Sequence, residues 1–417
     1  MSGTALAQLL GFALSPIISR FYTPSDFGVF GSFNAVLTVI AAGITLNYSL
    51  AIMLPKQKDD AINLFMLSCI TTAIISVCCS VACLLAPAFI QNFMKAPSRW
   101  ILILLVFGIL ASGLNQTFQA WCVRIKAFKQ TSASQVIRSL STNGSQVGLG
   151  YLRGGASALI FTAFLGDVLA TLNLARVTYR DLRVLRQKIK WARIRQLAKD
   201  YRDFPFYSAS QDVINSLSLG LPIFLLTHFY GIAVAGAYAF SMRILQTPTG
   251  LVLRALRQVL YQKACETHHE GGRLAPLYVK ITGGLFALAL FPSLVLIIWA
   301  PQIFTWVFGS RWHLAGVFSQ SLILWLMVGF CNVPAVLFSR IIRMQRQMFF
   351  YNQALLAVRA LVLVLGGMYL PATHTITLFS VVGAIMNAIF ILVIGFALMK
   401  KEGDMALKEI LNDVKEG

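Results

Sequence analysis

Apolar runs of about twenty residues, the length that crosses a bilayer as a helix, alternate with short polar or basic segments along the whole chain. Twelve stretches follow that pattern: 2–20, 27–54, 62–90, 100–122, 131–152, 157–177, 206–226, 232–255, 279–300, 316–337, 348–369 and 376–399. The fifth, TSASQVIRSLSTNGSQVGLGYL, is only weakly apolar, and hydropathy alone would pass over it. The polar segments between stretches are short, and the largest on the sparsely charged side is about 301–315. The pattern therefore predicts an all-α polytopic membrane protein with no loop large enough to fold as a catalytic domain.

Charge decides whether the fifth stretch belongs. Lys and Arg concentrate in cytoplasmic loops. With the N-terminus inside and twelve crossings, 27 of the 35 Lys and Arg fall on the cytoplasmic side. Five (Arg20, Lys95, Arg99, Arg153 and Arg311) fall on the outer side, and Arg138, Arg243 and Arg359 lie well inside stretches, away from their ends. Removing the fifth stretch inverts every later loop and destroys the bias. Both termini are thus expected in the cytoplasm.

Composition agrees. Charged residues make up 12% of the chain and hydrophobic ones 57%, against about a quarter charged in soluble domains. The net charge of +20 is accounted for by loop position, so it gives no reason to expect nucleic acid as a partner. The segment from Arg176 to Arg202 alone carries ten Lys and Arg. Leu182, Leu185, Ile189 and Ala192 recur there at helical spacing beside Trp191. An amphipathic helix lying on anionic lipid fits that pattern. Seven cysteines are scattered through apolar runs with no paired CxxC, and read as small core residues. No cofactor and no metal site is expected, and no enzymatic activity.

The domain plan is 1–177, a first six-helix bundle; 178–204, a basic cytoplasmic linker; 205–399, a second six-helix bundle; and 400–417, a cytoplasmic tail. A faint internal repeat supports it: SRFYTPSDFGVF (19–30) aligns with THFYGIAVAGAY (227–238), matching Phe21, Tyr22 and Gly28 to Phe229, Tyr230 and Gly236. Halves with an even number of spans enter the membrane in the same direction, as in parallel-repeat transporters.

Three stretches carry a resemblance: SRFYTPSDFGVFGSF (19–33), YAFSMRILQTP (238–248) and FGSRWHLAG (308–316). Together they resemble bacterial polysaccharide-export flippases of the Wzx type, in the MOP superfamily with lipid II flippases and MATE exporters. That likeness implies two bundles around a central cationic cavity of alternating access. The cargo would be undecaprenyl-diphosphate-linked oligosaccharide, moved to the outer leaflet of the cytoplasmic (inner) membrane for O-antigen, capsule or exopolysaccharide. A polysaccharide polymerase and a chain-length regulator would be partners, alongside membrane lipids. The chain departs from the pattern at its start, where Met1 lies almost within the first stretch.

Moving a diphosphate through hydrocarbon calls for cations facing a wet cavity, and arginine's fixed fork suits phosphate. Arg243, Arg138 and Arg359 are the intramembrane candidates, with Arg20 at a rim; each could equally serve in a buried ion pair or as an anchor. Asp167 and Asp212, the carboxylates well inside stretches, could exchange H+ or Na+ to drive the cycle, or pair with an arginine. Asn47, Asn115, Gln116 and Gln119 could bind sugar hydroxyls or join helices. In TPSD (23–26), Asp26 reads as a turn and cap residue. Two other functions stay open: a cation-coupled multidrug exporter of the MATE type, and a membrane-embedded polysaccharide polymerase.

Overall fold

A computed structural model describes residues 2–269, 273–342 and 344–416. The described chain folds as helices joined by short turns, and helical segments run through each of the twelve expected stretches, the second interrupted at 44–47, the third at Ala86 and the tenth at Asn332. Among the described residues, nine helical spans are long and apolar enough to cross a membrane. The stretches at 2–20, 131–152 and 232–255 fall short of that measure, the first reduced to the apolar segment Ala7–Phe21. Their contacts divide the chain into two compact units, Met1–Ala239 and Phe240–Gly417.

Unit 1 holds α1 (Ser2–Phe21), α2 (Pro24–Gly43), α3 (Tyr48–Ala51), α4 (Lys58–Leu85), α5 (Pro87–Met94), α6 (Trp100–Arg124), α7 (Phe128–Tyr151), α8 (Gly155–Leu185), α9 (Trp191–Asp200) and α10 (Ser210–Tyr230). It also takes in the first turns of α11 (Ile232–His269). The TPSD turn is a capping box. Thr23 caps α2, its hydroxyl accepting from the Asp26 N–H at 3.2 Å, while the Asp26 carboxylate accepts from the Thr23 N–H at 2.8 Å. Pro24 occupies the first helical turn, where its missing N–H costs nothing. The cap residue is therefore Thr23, and Asp26 closes the box from the third helical position.

The aligned glycines of the internal repeat meet in space. A Cβ on Gly236 would collide with the Pro24 carbonyl oxygen, and one on Gly28 with that of Ile232. Their match in sequence thus reflects one close helix crossing at the start of α2 and α11. Nearby, Tyr22 is fully buried and donates its hydroxyl to the Gln146 carbonyl at 2.8 Å, tying α1 to α7.

The basic linker differs from its expected course. Its helical register breaks at Arg186–Lys190 and restarts as α9. Ile194 and Leu197 are buried in a core shared with Tyr48, Ile62, Phe65 and Trp121, so the apolar face of α9 packs on protein and not on lipid. Full burial of two such side chains contributes about 1.5–3 kcal/mol each. Leu182 and Ile189 join this core at its edge; Ala192 and Trp191 are exposed, and the side chain of Leu185 lies outside the described residues. Polar clasps flank it. Arg193 forks onto both oxygens of Asp60 at 2.7 and 2.8 Å, Lys188 reaches Asp59 at 2.7 Å, and the Tyr48 hydroxyl donates to the Ala198 carbonyl at 3.2 Å. Asn63 accepts from the Lys190 N–H and donates to the Lys188 carbonyl.

Unit 2 holds the remainder of α11, then α12 (Leu274–Phe308), α13 (His313–Cys331), α14 (Val333–Ile341), α15 (Gln345–Tyr369) and α16 (Ala372–Glu416). An aromatic cluster closes one end: Phe240 stacks on Trp312 with centroids 3.9 Å apart and meets Phe304 and Phe308 edge-on. The Ser241 hydroxyl donates to the Ala315 carbonyl at 2.7 Å. Two of the three motifs quoted above, around 240 and 312, therefore pack on each other. At the other end the Glu402 carboxylate accepts from the Ala275 N–H at 2.7 Å and so caps α12. Cys83, Cys122 and Cys331 are buried and Cys78 is exposed; the side chain of Cys265 lies outside the described residues.

Candidate functional site

The site begins with a break in a helix. After Gly43 the chain turns through Ile44–Asn47 before α3 resumes, with Leu46 and Asn47 at φ 48° and 58°. Asparagine visits this left-handed region readily, whereas leucine is held there only by its surroundings. The turn keeps its backbone satisfied: Leu46 N–H bonds the Gly43 carbonyl, Tyr48 N–H that of Thr45, and Leu50 N–H that of Asn47. Thr45 and Ser49 share a hydroxyl hydrogen bond of 3.0 Å beneath it. The outcome is that the buried Asn47 side chain is aimed across at α10, donating to Asp212 Oδ2 at 2.7 Å.

Around that contact lies an open cavity of about 590 Å³, lined from α2, α3, α6 and α10, all of unit 1. Two helix faces supply most of its polar wall. Asp212, Asn215 and Ser216 stand at i, i+3 and i+4 on α10, and Gln116 and Gln119 at i and i+3 on α6. Gln116 is oriented by its donation to the Ala41 carbonyl at 2.9 Å, which also pins α6 to α2. Thr38 and Ser49 add hydroxyls, and Ala41, Ala42, Leu50 and Met53 an apolar floor. α10 enters this position after one π-helical turn, Phe204–Ala209; such turns are frequent at functional sites. The cavity lies at the linker end of unit 1, since Asn47 lines it while the next residue, Tyr48, holds α9.

Four of the sequence-predicted residues, Asn47, Gln116, Gln119 and Asp212, are thus brought together. The fourth predicted amide, Asn115, is not: it donates to the Thr171 hydroxyl at 3.0 Å and joins α6 to α8. Sequence reading missed Asn215 and Ser216, although their spacing from Asp212 on one helix face was a signal for them.

None of the four arginines lines this cavity. Arg138 pairs through Nε with Asp167 Oδ1 at 2.5 Å, its own side chain half exposed and that of Asp167 13% exposed. The pair joins α7 to α8, where Gly166 leaves no room for a Cβ against Thr142. Arg359 is 5% exposed inside unit 2, its guanidinium 4.3 Å from the Trp325 ring centroid and 5.4 Å from that of Phe379. Arg243 is half-buried on α11, its backbone carbonyl accepting from the Thr247 hydroxyl at 2.6 Å. Arg20 is exposed at the end of α1. On the linker, the Asp60 carboxylate raises the Arg193 pKa above its ordinary value. Among the described residues no cluster of His, Cys, Asp or Glu could hold a metal ion.

Chemically, the cavity offers amides and hydroxyls that both donate and accept, and one carboxylate. Such a lining hydrogen-bonds polyhydroxylated ligands and repels anions.

Comparison with known proteins bears on which ligands these are. Residues 17–317 match the family described as "Polysaccharide biosynthesis protein". No curated protein matches the chain in sequence. Among solved structures, the fold is similar to a lipid II flippase, MurJ, in an inward closed conformation, with TM-score 0.74, 12% identity, and coverage of 97% of this chain and 92% of the other. It is also similar to a multidrug resistance MATE family transporter of the MOP superfamily. The inward-facing form gives TM-score 0.68, 15% identity, and coverage of 94% and 98%; the outward-facing form gives 0.60, 15%, and 95% of each chain.

Proposed function

Because the chain belongs to the polysaccharide biosynthesis protein family, we propose that this multi-pass membrane protein flips undecaprenyl-diphosphate-linked oligosaccharide to the outer leaflet of the bacterial cytoplasmic membrane. The observation that carries the reading is the cavity of unit 1, whose amides and hydroxyls over an apolar floor suit the hydroxyls and ring faces of sugars and which sits beside the basic linker. Basic loops face the cytoplasm, so the cavity opens where a newly made lipid-linked glycan waits. The fold likeness to a protein titled a lipid II flippase supports the same reading.

In this reading the chain crosses the membrane twelve times, both termini are cytoplasmic, and no covalent bond is made or broken. The product feeds a polymerase and a chain-length regulator on the outer side. Arg243, in a span and half-buried, carries the diphosphate; Arg138, Arg359 and Arg20 serve the same charge or the packing around it. Deleting the gene is expected to abolish surface polysaccharide and to accumulate the lipid-linked unit, read by mass spectrometry. Rescue should fail with Arg243→Ala and persist in part with Arg243→Lys. Full rescue by Arg138→Ala combined with Arg243→Ala, at normal protein level, would refute the cationic pathway.

A second reading, export of organic cations, is favoured by one observation: among the described residues, the sole charged one lining the cavity is Asp212. It predicts drug resistance on overexpression that Asp212→Asn abolishes, and unchanged surface polysaccharide in the deletion strain.

A further inference from the structure

The cavity of unit 1 carries a charge that a glycan would have to match. We propose that Asp212 sets glycan specificity by charge, so that the cavity accepts neutral and amine-bearing sugars and turns acidic sugars away. This rests on the flippase reading and adds to it which glycans pass.

The argument starts from the wall. Asn47, Gln116, Gln119, Asn215 and Ser216 present neutral donors and acceptors, and among the described lining residues there is no Lys or Arg to balance Asp212. The Asn47 amide holds one carboxylate oxygen at 2.7 Å, fixing the group in place without adding charge. Asp212 is exposed to the cavity, while the Ala41, Ala42, Leu50 and Met53 floor is apolar. A cleft with low-dielectric walls and charge of one sign concentrates its field on whatever enters. A uronic acid there meets a like charge that no neighbour offsets, whereas an ammonium on an amino sugar gains a charge-assisted hydrogen bond. A volume of about 590 Å³ lies within the roughly 300–1,000 Å³ of small-molecule pockets, so a short glycan end fits. The lipid's own diphosphate is repelled by the same charge and stays outside this cavity.

The helix break supports a built site. Leu46 and Asn47 take positive φ values at the turn that aims the Asn47 amide at Asp212, and the strain of holding a leucine there is of the kind that concentrates at ligand clamps.

The test uses the full chain in proteoliposomes with three probes. These are a polyprenyl diphosphate bearing a neutral disaccharide, the same lipid ending in a uronic acid, and the same ending in an amino sugar with a free amine. The wild type is expected to move the neutral and amine probes at least tenfold faster than the acidic one. Asp212→Asn, which keeps an acceptor for Asn47, should bring acidic and neutral rates within threefold of each other. Asp212→Ser serves as a second variant, and the ratio of rates within each protein removes differences in folded yield. Equal rates for all three probes in the wild type, or tenfold discrimination surviving both substitutions, overturn the proposal and leave the flippase reading standing. Movement of none of the probes by the wild type overturns the flippase reading, and the proposal with it.

Discussion

Arg359 shows what a single buried cation can do besides binding a substrate. It lies deep in the apolar run LLAVRALVLVL, and its guanidinium faces inward, onto the rings of Trp325 and Phe379. A desolvated cation over an aromatic face gains about 2 kcal/mol, and losing the long stem adds lost packing. Arg359→Ala is expected to lower stability in detergent by about 2 kcal/mol or more, read as a fall in the thermal midpoint, with Arg359→Lys in between. An unchanged midpoint would show that the rings do not hold it. Arg138 makes the opposite point. A half-exposed arginine paired with Asp167 is a joint between α7 and α8, and sequence left both its roles open because nothing in spacing says which helices become neighbours. Asn47 and Asp212 lie far apart in the chain, and their contact depended on the turn at Ile44–Asn47 that no hydropathy pattern marks.

Among the elements, the linker changed most. Its basic residues and its apolar periodicity were both legible, but periodicity records only that one face seeks an apolar surface. Whether lipid or protein provides it depends on which groups lie close by. Here Asp59, Asp60 and Asn63 at the start of α4 offer partners spaced for Lys188, the Lys190 N–H and Arg193, and Ile194 and Leu197 follow them into the core. Arg193→Ala is therefore expected to speed amide hydrogen exchange across α9 severalfold while exchange in α12 stays as it was. No change in α9 would mean that the apolar contacts alone hold it. The π-helical turn and α10 follow directly, so the same clasp bears on how Asp212 is presented to the cavity.

For the whole molecule, the fold follows from a protein that must satisfy every backbone hydrogen bond inside a membrane, which leaves helices as the economical answer. The charge distribution makes a topological prediction. With native cysteines replaced, Ser310→Cys should react with a membrane-impermeant thiol reagent applied to intact cells, and Gln57→Cys should react only after the membrane is opened. The reverse pattern would invert the orientation, and labelling of both from one side would remove a crossing between them. Such a result bears most on α1, α7 and α11, whose described residues do not form a stretch both long and apolar enough to cross a membrane.

Sequence by itself determined the class, the helical stretches and the basic segment, because length, hydropathy and charge act locally and add up along the chain. It also marked Asn47, Gln116, Gln119 and Asp212 as polar groups in apolar surroundings, where polarity is costly enough to need a reason. Only the tertiary structure decided that these four share one cavity while Asn115 does not, that the linker packs on α4, and that the motifs around Phe240 and Trp312 are a stacked pair. Each of those outcomes depends on the rotation of one helix against another. That rotation is set by side-chain packing between segments distant in sequence, such as Gly28 against Ile232, and no local pattern contains it.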